Sequence, residues 1–89
     1  MRIAVTLERL EPARGGLEAY AAAWLAWLCA TGVPTLAVTL RSFEPAAWPG
    51  LPAGLAVRSL AGSSGDLSND AARLEAAARA DADLVHDFG

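Results

Sequence analysis

The sequence predicts an α/β protein with a mainly parallel β-sheet and flanking helices. Short apolar runs rich in β-branched residues alternate with two longer Ala- and Leu-rich segments of helical composition. Segments containing Gly and Pro separate them, and strands that alternate with helices are typical of parallel sheets with right-handed crossovers. At 89 residues the chain forms at most one small domain, whose core is thin.

The first element is a strand followed by a glycine turn. Residues 2–7 form a short apolar run, as expected of a strand buried on both faces. Residues 8–14 are polar, and Pro12 leads us to expect no regular structure there. Gly15 and Gly16 then precede the first helical segment.

A helix is predicted from Leu17 to about Thr31, and its apolar residues lie nearly all round it. We therefore expect it to be buried on more than one side, with Trp24 and Trp27 packed against the sheet or against further chain. Gly32, followed by Pro34, ends this helix, and residues 35–40 form a second strand. Residues 19–40 carry no charge, but this interruption favours a helix, turn and strand over a membrane span.

The middle of the chain is predicted to be largely irregular. Residues 41–54 hold three of the five prolines and form a loop before a third strand at about 55–60. Residues 61–70 form a polar linker rich in Gly and Ser.

The last elements are a helix and a strand. One of three polar residues caps the helix, which runs to about Ala80: Ser68, Asn69 or Asp70. Residues 82–86 then form a fourth strand, and residues 87–89 begin the loop after it.

Composition excludes several classes of function. The net charge is −3, lysine is absent and the arginines are scattered, so we expect no nucleic-acid partner. One cysteine and one histidine cannot supply a zinc site, and the sequence predicts no metal or other cofactor. Cys29 is interpreted as a small core residue.

The order of elements predicts a Rossmann-like sheet of strand order 3-2-1-4. Its ligand crevice lies where the fourth strand returns beside the first, between residues 8–16 and residues 86–89. The far side of the fourth strand has no neighbour in the sequence, and an unpaired apolar edge is an aggregation hazard. We therefore expect residues 1–89 to be the N-terminal part of a longer domain, incomplete at its C-terminal end.

The Gly15-Gly16 pair is the strongest local signal for a ligand. Glycines at a helix N-terminus let the backbone turn through positive φ and approach a phosphate or carboxylate, which the free amides and helix dipole attract. A plain tight turn is an equally good interpretation. The dinucleotide fingerprint G-x-G-x-x-G and the P-loop sequence G-K-[ST] are both absent, and a receiver domain would need an acidic partner for Glu8.

Four further residues are candidates for the crevice. His86 is a proton carrier or substrate contact, or else a strand-end histidine with a satisfied hydrogen bond. Asp87 contacts a sugar hydroxyl or caps the next element. Arg14 neutralises a phosphate or is a solvated loop charge. Glu18 interacts favourably with the positive end of the helix dipole, but it would repel a nearby phosphate.

The chain resembles the N-terminal domain of family-4 glycosyltransferases of the GT-B fold. The resemblance lies in the opening strand, the Arg14–Glu18 segment RGGLE, the approach Ala30–Thr35 to the second strand, and the closing segment ADLVH at 82–86. Residues 41–70 match only in layout, and Pro34 stands where the family usually has histidine.

The resemblance implies transfer of a sugar from a nucleotide-sugar donor to an acceptor, with retention at the anomeric carbon. It places Gly15, Gly16 and Arg14 at the donor's phosphates and sugar, and His86 in the cleft. Asp87 and Glu18 are candidate sugar or acceptor contacts.

The resemblance to family-4 glycosyltransferases also implies a C-terminal domain that supplies most of the donor site, so the chain alone is expected to be inactive. We expect a cytoplasmic location, with peripheral contact to the inner face of the membrane left open. A non-catalytic module for phosphate-bearing ligands and another Rossmann-like enzyme remain the alternatives.

Overall fold

The computed structural model describes residues 1–60 and 62–88. The elements occur in the predicted order, and their bounds are as follows: β1 Ile3–Leu7, α1 Gly16–Ala30, β2 Thr35–Thr39, β3 Leu55–Ser59, α2 Leu67–Arg79 and β4 Leu84–Asp87. The fourth strand begins two residues later than predicted and ends one residue later, at Asp87. Residue 61 of the predicted linker and residue 89 of the predicted crevice lie outside the described residues.

The sheet has four parallel strands in the order β3-β2-β1-β4, which confirms the Rossmann-like α/β prediction. Ile3 lies opposite both Thr35 and Leu84, so all three strands begin at the same level and their carboxyl ends share one edge. β1 is central and buried on both faces, as expected, while β4 lies at the border of the sheet.

The two helices cover opposite faces of the sheet. α1 packs against the face that carries Val5 and Ala37, whereas α2 packs against the face that carries Ala4 and Leu36. This alternation follows from the strand period of two, because adjacent residues of β1 point to different layers.

The β2–β3 connection, residues 41–54, contains no α-helix. It is irregular as predicted, apart from a single 3-10 turn at Pro45–Ala47. Phe43 and Trp48 from this loop pack against the α1-side core, beside Val57 of β3. Bulky side chains of a loop therefore cover the part of the sheet that a crossover helix would otherwise cover.

α1 ends in a Schellman motif. Gly32 has φ +84°, its N–H donates to the carbonyl of Cys29, and the N–H of Val33 donates to the carbonyl of Leu28. The predicted glycine stop is therefore confirmed, because this left-handed position favours a residue without a Cβ. Within the described part of the chain no helix is long and apolar enough to cross a membrane.

The expectation that α1 is buried on more than one side is wrong. One face is buried through Ala21, Ala22, Leu25 and Leu28, but Tyr20 and Trp27 are 65% and 61% exposed. Trp24 is half-buried against the core, as expected of packing against the sheet. Trp27 does not pack against the sheet, and its packing against further chain stays a prediction. Cys29 is only partly buried, so its interpretation as a core residue holds only in part.

The predicted caps of α2 are also wrong. Asp66 is the N-cap, and its Oδ1 accepts hydrogen bonds from the N–H groups of Ser68 (3.0 Å) and Asn69 (3.3 Å). Two of the predicted caps are thus the donors, because the helix begins earlier, at Leu67. Asp70 lies one turn inside the helix.

Candidate functional site

The hydrophobic core holds the loop between β1 and α1 in place. Leu10 is only 2% exposed and belongs to the α1-side core, so apolar burial fixes the middle of the loop. Pro12–Arg14 form a single 3-10 turn rather than the irregular segment we predicted. The proline ring suits the first position of such a turn, which needs no N–H donor there.

The glycine turn requires its glycines. Gly15 has φ +77° and ψ −167°, and Gly16 has φ +57°. A Cβ built on either residue meets no atom within 4 Å. Backbone conformation, rather than crowding by the protein, therefore selects glycine at both positions, and the space above them is open.

The N-terminus of α1 is not capped by any described side chain. The N–H of Gly15 donates to the carbonyl of Pro12 at 3.0 Å, but the amides of the first helical turn have no partner inside the helix. Their partial positive charge faces the open side of the turn. This geometry can accept an anion.

Glu18 turns back onto the loop instead of projecting over the glycines. Its Oε1 accepts from the N–H of Glu11 at 3.2 Å, and its Oε2 accepts from Nε of Arg14 at 3.2 Å. Arg14 also lies 3.9 Å from a carboxylate oxygen of Glu11. Arg14 and Glu18 thus neutralise each other, and a cavity of about 130 Å³ lies beside Glu18 and Leu17.

Asp87 lies at the boundary between β1 and β4. Its Oδ1 accepts a hydrogen bond from the hydroxyl of Thr6 at 2.9 Å, and Thr6 is 3% exposed. Because Thr6 and Asp87 are directly opposite in the parallel register, the bond crosses the switch point where ligands bind in folds of this kind.

His86 lies on the other face of β4. Its ring centroid is 5.0 Å from that of Trp24 and 4.7 Å from that of Phe88. The imidazole therefore belongs to an aromatic cluster beside α1, on the face opposite to Asp87, although the residue remains exposed. The structure places these two candidates on different sides of the sheet.

A groove of about 700 Å³ lies on the α2 side of the switch point. Its described lining includes Thr6, Glu8 and Asp87 but neither glycine of the turn, nor His86. Glu8 and Asp87, which are far apart in the sequence, thus line one groove. Within residues 1–60 and 62–88, no three His, Cys, Asp or Glu side chains come together as metal ligands would.

Asp70 borders the same groove and has a strongly lowered pKa. The Ser63 hydroxyl donates to it, the Ser64 N–H donates at 2.8 Å, and Nη1 of Arg73 lies 3.0 Å away. These donors, the Ser63 hydroxyl first, hold the pKa of Asp70 well below its usual range, against the opposing effect of burial. Asp70 is therefore a fixed anion that orders the β3–α2 loop.

Glu8 lies in the groove, as expected of the predicted crevice segment 8–16, whereas Thr6 and the Asp70 network were missed from the sequence. A weak signal for Thr6 was present: it is a hydroxyl residue near the carboxyl end of a strand that is otherwise apolar. The spacing of Ser63 and Asp70 follows no established pattern, so only the structure brings them together.

The structure is a small Rossmann-like α/β fold with an uncapped helix start at a two-glycine turn and a groove lined by carboxylates at the switch point. Comparison of the chain with protein-family models, with curated proteins and with solved structures finds no match.

Proposed function

We propose that this chain forms the acceptor-side Rossmann-like part of a nucleotide-sugar glycosyltransferase, with Gly15 and Gly16 facing the donor's diphosphate. The observation that carries the proposal is the uncapped start of α1 under two consecutive glycines of positive φ, with open space above both. The resemblance of the RGGLE segment to family-4 glycosyltransferases gives this anion-accepting turn its proposed ligand.

The proposed chemistry at the turn is electrostatic. When the bond between sugar and diphosphate breaks, negative charge grows on the leaving group, and fixed amide dipoles stabilise such charge without reorganising. Glu18 does not oppose this, because Arg14 and the Glu11 N–H engage its carboxylate. The proposed role of Arg14 is therefore to neutralise Glu18 rather than to contact phosphate directly.

The sugar hydroxyls are the proposed partners of Asp87, whose carboxylate lies at the β1–β4 boundary. A role for His86 requires the substrate to reach the α1 side of β4, where its ring packs. In this proposal a second domain supplies the remaining donor contacts, so the chain alone binds the diphosphate but does not turn over. The proposed location is the cytoplasm.

The test is a titration of the 89-residue protein with a panel of nucleotide sugars, with inorganic pyrophosphate and free nucleosides as partial ligands. Amide chemical shifts report where each ligand binds. We expect diphosphate-bearing ligands to move the resonances of residues 15–18, whereas free nucleosides leave them unchanged.

A matched pair of variants separates binding from folding. Gly15→Ala and Gly54→Ala both place a Cβ at positive φ, +77° and +88°, with nothing within 4 Å. Both therefore carry backbone strain, but only Gly15→Ala should weaken diphosphate binding, by tenfold or more. Unchanged resonances of residues 15–18 with every diphosphate would contradict the proposal. Equal binding of pyrophosphate and all nucleotide sugars would instead favour a general phosphate-binding module.

A further inference from the structure

The outward face of α1 carries an uncharged stripe made of Tyr20, Ala23, Trp27 and Ala30. All four are exposed, and their spacing of three, four and three residues places them on one side of the helix. Tyr20 is 65% and Trp27 61% exposed, which is unusual for such large side chains on a helix that also covers a core. Hereafter this set is the α1 stripe.

Large and small residues in the α1 stripe are placed in a self-complementary way. Position 25 lies midway between residues 20 and 30, and it also lies midway between residues 23 and 27. If a second copy of α1 crosses antiparallel about a two-fold axis at that position, Tyr20 meets the second copy's Ala30. Trp27 then meets the second copy's Ala23, so each aromatic ring projects toward a gap above an alanine.

We propose that the α1 stripe is an interface for a second copy of this chain, packed antiparallel about that axis. Charge favours this site over the rest of the surface. Each copy has a net charge of −3, yet residues 19–40 contain no charged side chain, so the residues of the α1 stripe themselves bury no ionic group in such a contact.

The area of the α1 stripe sets the expected strength of the dimer. At 150–250 Å² for a whole aromatic side chain, the exposed parts of Tyr20 and Trp27 amount to roughly 200–300 Å² per copy. With Leu17, which is 53% exposed, and the alanines, two copies bury on the order of 800 Å². Stable dimers bury more than this, so association is weak and depends on concentration.

Sedimentation velocity of the 89-residue protein over a concentration series tests the proposal. We expect a monomer–dimer equilibrium with a Kd on the order of tens of micromolar. Trp27→Glu should weaken it by tenfold or more, because it removes a central aromatic ring and buries a charge. The matched control is Leu67→Glu: Leu67 is 86% exposed at the start of α2, away from the α1 stripe, and its replacement should change nothing.

Ala23→Trp is the second variant, because it fills the gap proposed to receive the second copy's Trp27 while leaving every aromatic ring in place. It too should weaken the dimer by tenfold or more, with a thermal melt showing that the fold is retained. A monomer at every concentration would overturn the proposal, as would a dimer that both Trp27→Glu and Ala23→Trp leave intact. Binding of the α1 stripe to zwitterionic lipid vesicles by a protein that stays monomeric would likewise overturn it.

Discussion

α1 and α2 cover opposite faces of one sheet but are held there by different forces. α1 buries four apolar residues and carries no charge after Glu18. α2 buries Leu74, Ala78 and the carboxylate of Asp70, and its outer face is charged. Hydrophobic burial alone therefore positions α1, whereas α2 combines a smaller buried face with polar contacts at its N-terminus.

The same contrast explains where an anion can bind. The carboxylate of Asp66 already occupies the first amides of α2, which blocks that helix end. The first amides of α1 follow two glycines and have no side-chain cap among the described residues. The N-termini of α1 and α2 both lie at the carboxyl edge of the sheet, and of these two only that of α1 has a geometry open to phosphate.

The largest expected effect is the loss of a core side chain under α1. Leu25 is fully buried, so Leu25→Ala should lower the free energy of unfolding by about 3–4 kcal/mol. Leu74→Ala under α2, where the side chain is 8% exposed, should cost about 2 kcal/mol. Urea unfolding measures both, and an equal or reversed order would show that hydrophobic burial contributes no more to holding α1 than to holding α2.

Asp70→Asn tests the polar anchoring of α2 through its pH dependence. The folded-state pKa of Asp70 is depressed, so its stabilisation is complete above the unfolded value of about 3.9 and is lost as the pH falls toward the folded value. The variant should therefore be less stable than the parent at neutral pH, and the difference should shrink below about pH 4.

The control for this experiment is Asp66→Asn, which keeps an equally good cap and should cost little at any pH. Thermal melts across a pH series compare the two variants. A stability difference for Asp70→Asn that does not change with pH would show that its charge is not what holds the β3–α2 loop.

Asp66→Ala should have a smaller effect, about 1 kcal/mol, because it frees the amides of Ser68 and Asn69 to water while leaving the packing of α2 intact. Helical content measured by circular dichroism should fall only slightly, whereas the urea midpoint falls measurably. A loss as large as that of Leu25→Ala would mean that the cap, and not the core, determines whether α2 forms.

Most of the fold could be predicted from the sequence because its signals are local. Short apolar runs that alternate with helical segments predicted the strands. Gly32 predicted the end of α1, and a positive φ is observed at that residue. The errors came where tertiary context decides. The composition of α1 predicted burial on more than one side, but only one sheet face lies beneath it, so Tyr20 and Trp27 remain exposed.

The candidate site was only partly predictable for a related reason. Gly15 and Gly16 form a contiguous signal, and their positive φ values agree with the predicted turn. Thr6 and Asp87 are 81 residues apart, and only the β1–β4 register brings them to 2.9 Å. The side of β4 on which His86 lies depends on its register against β1, where His86 lies opposite Val5 of the α1-side core.

The smallest expected effect concerns the ion pair on the outer face of α2. Arg79 lies 3.2 Å from Glu75, one helical turn away, and both side chains are about 60% exposed. Solvent screens such a pair, so Arg79→Ala should change the free energy of unfolding by less than about 0.5 kcal/mol, and added salt should reduce the change further. Urea unfolding at low and high salt measures this. A larger effect would mean that charges on the outer face of α2 stabilise it in addition to the polar contacts at its N-terminus. α2 would then differ from the uncharged α1 along its whole length.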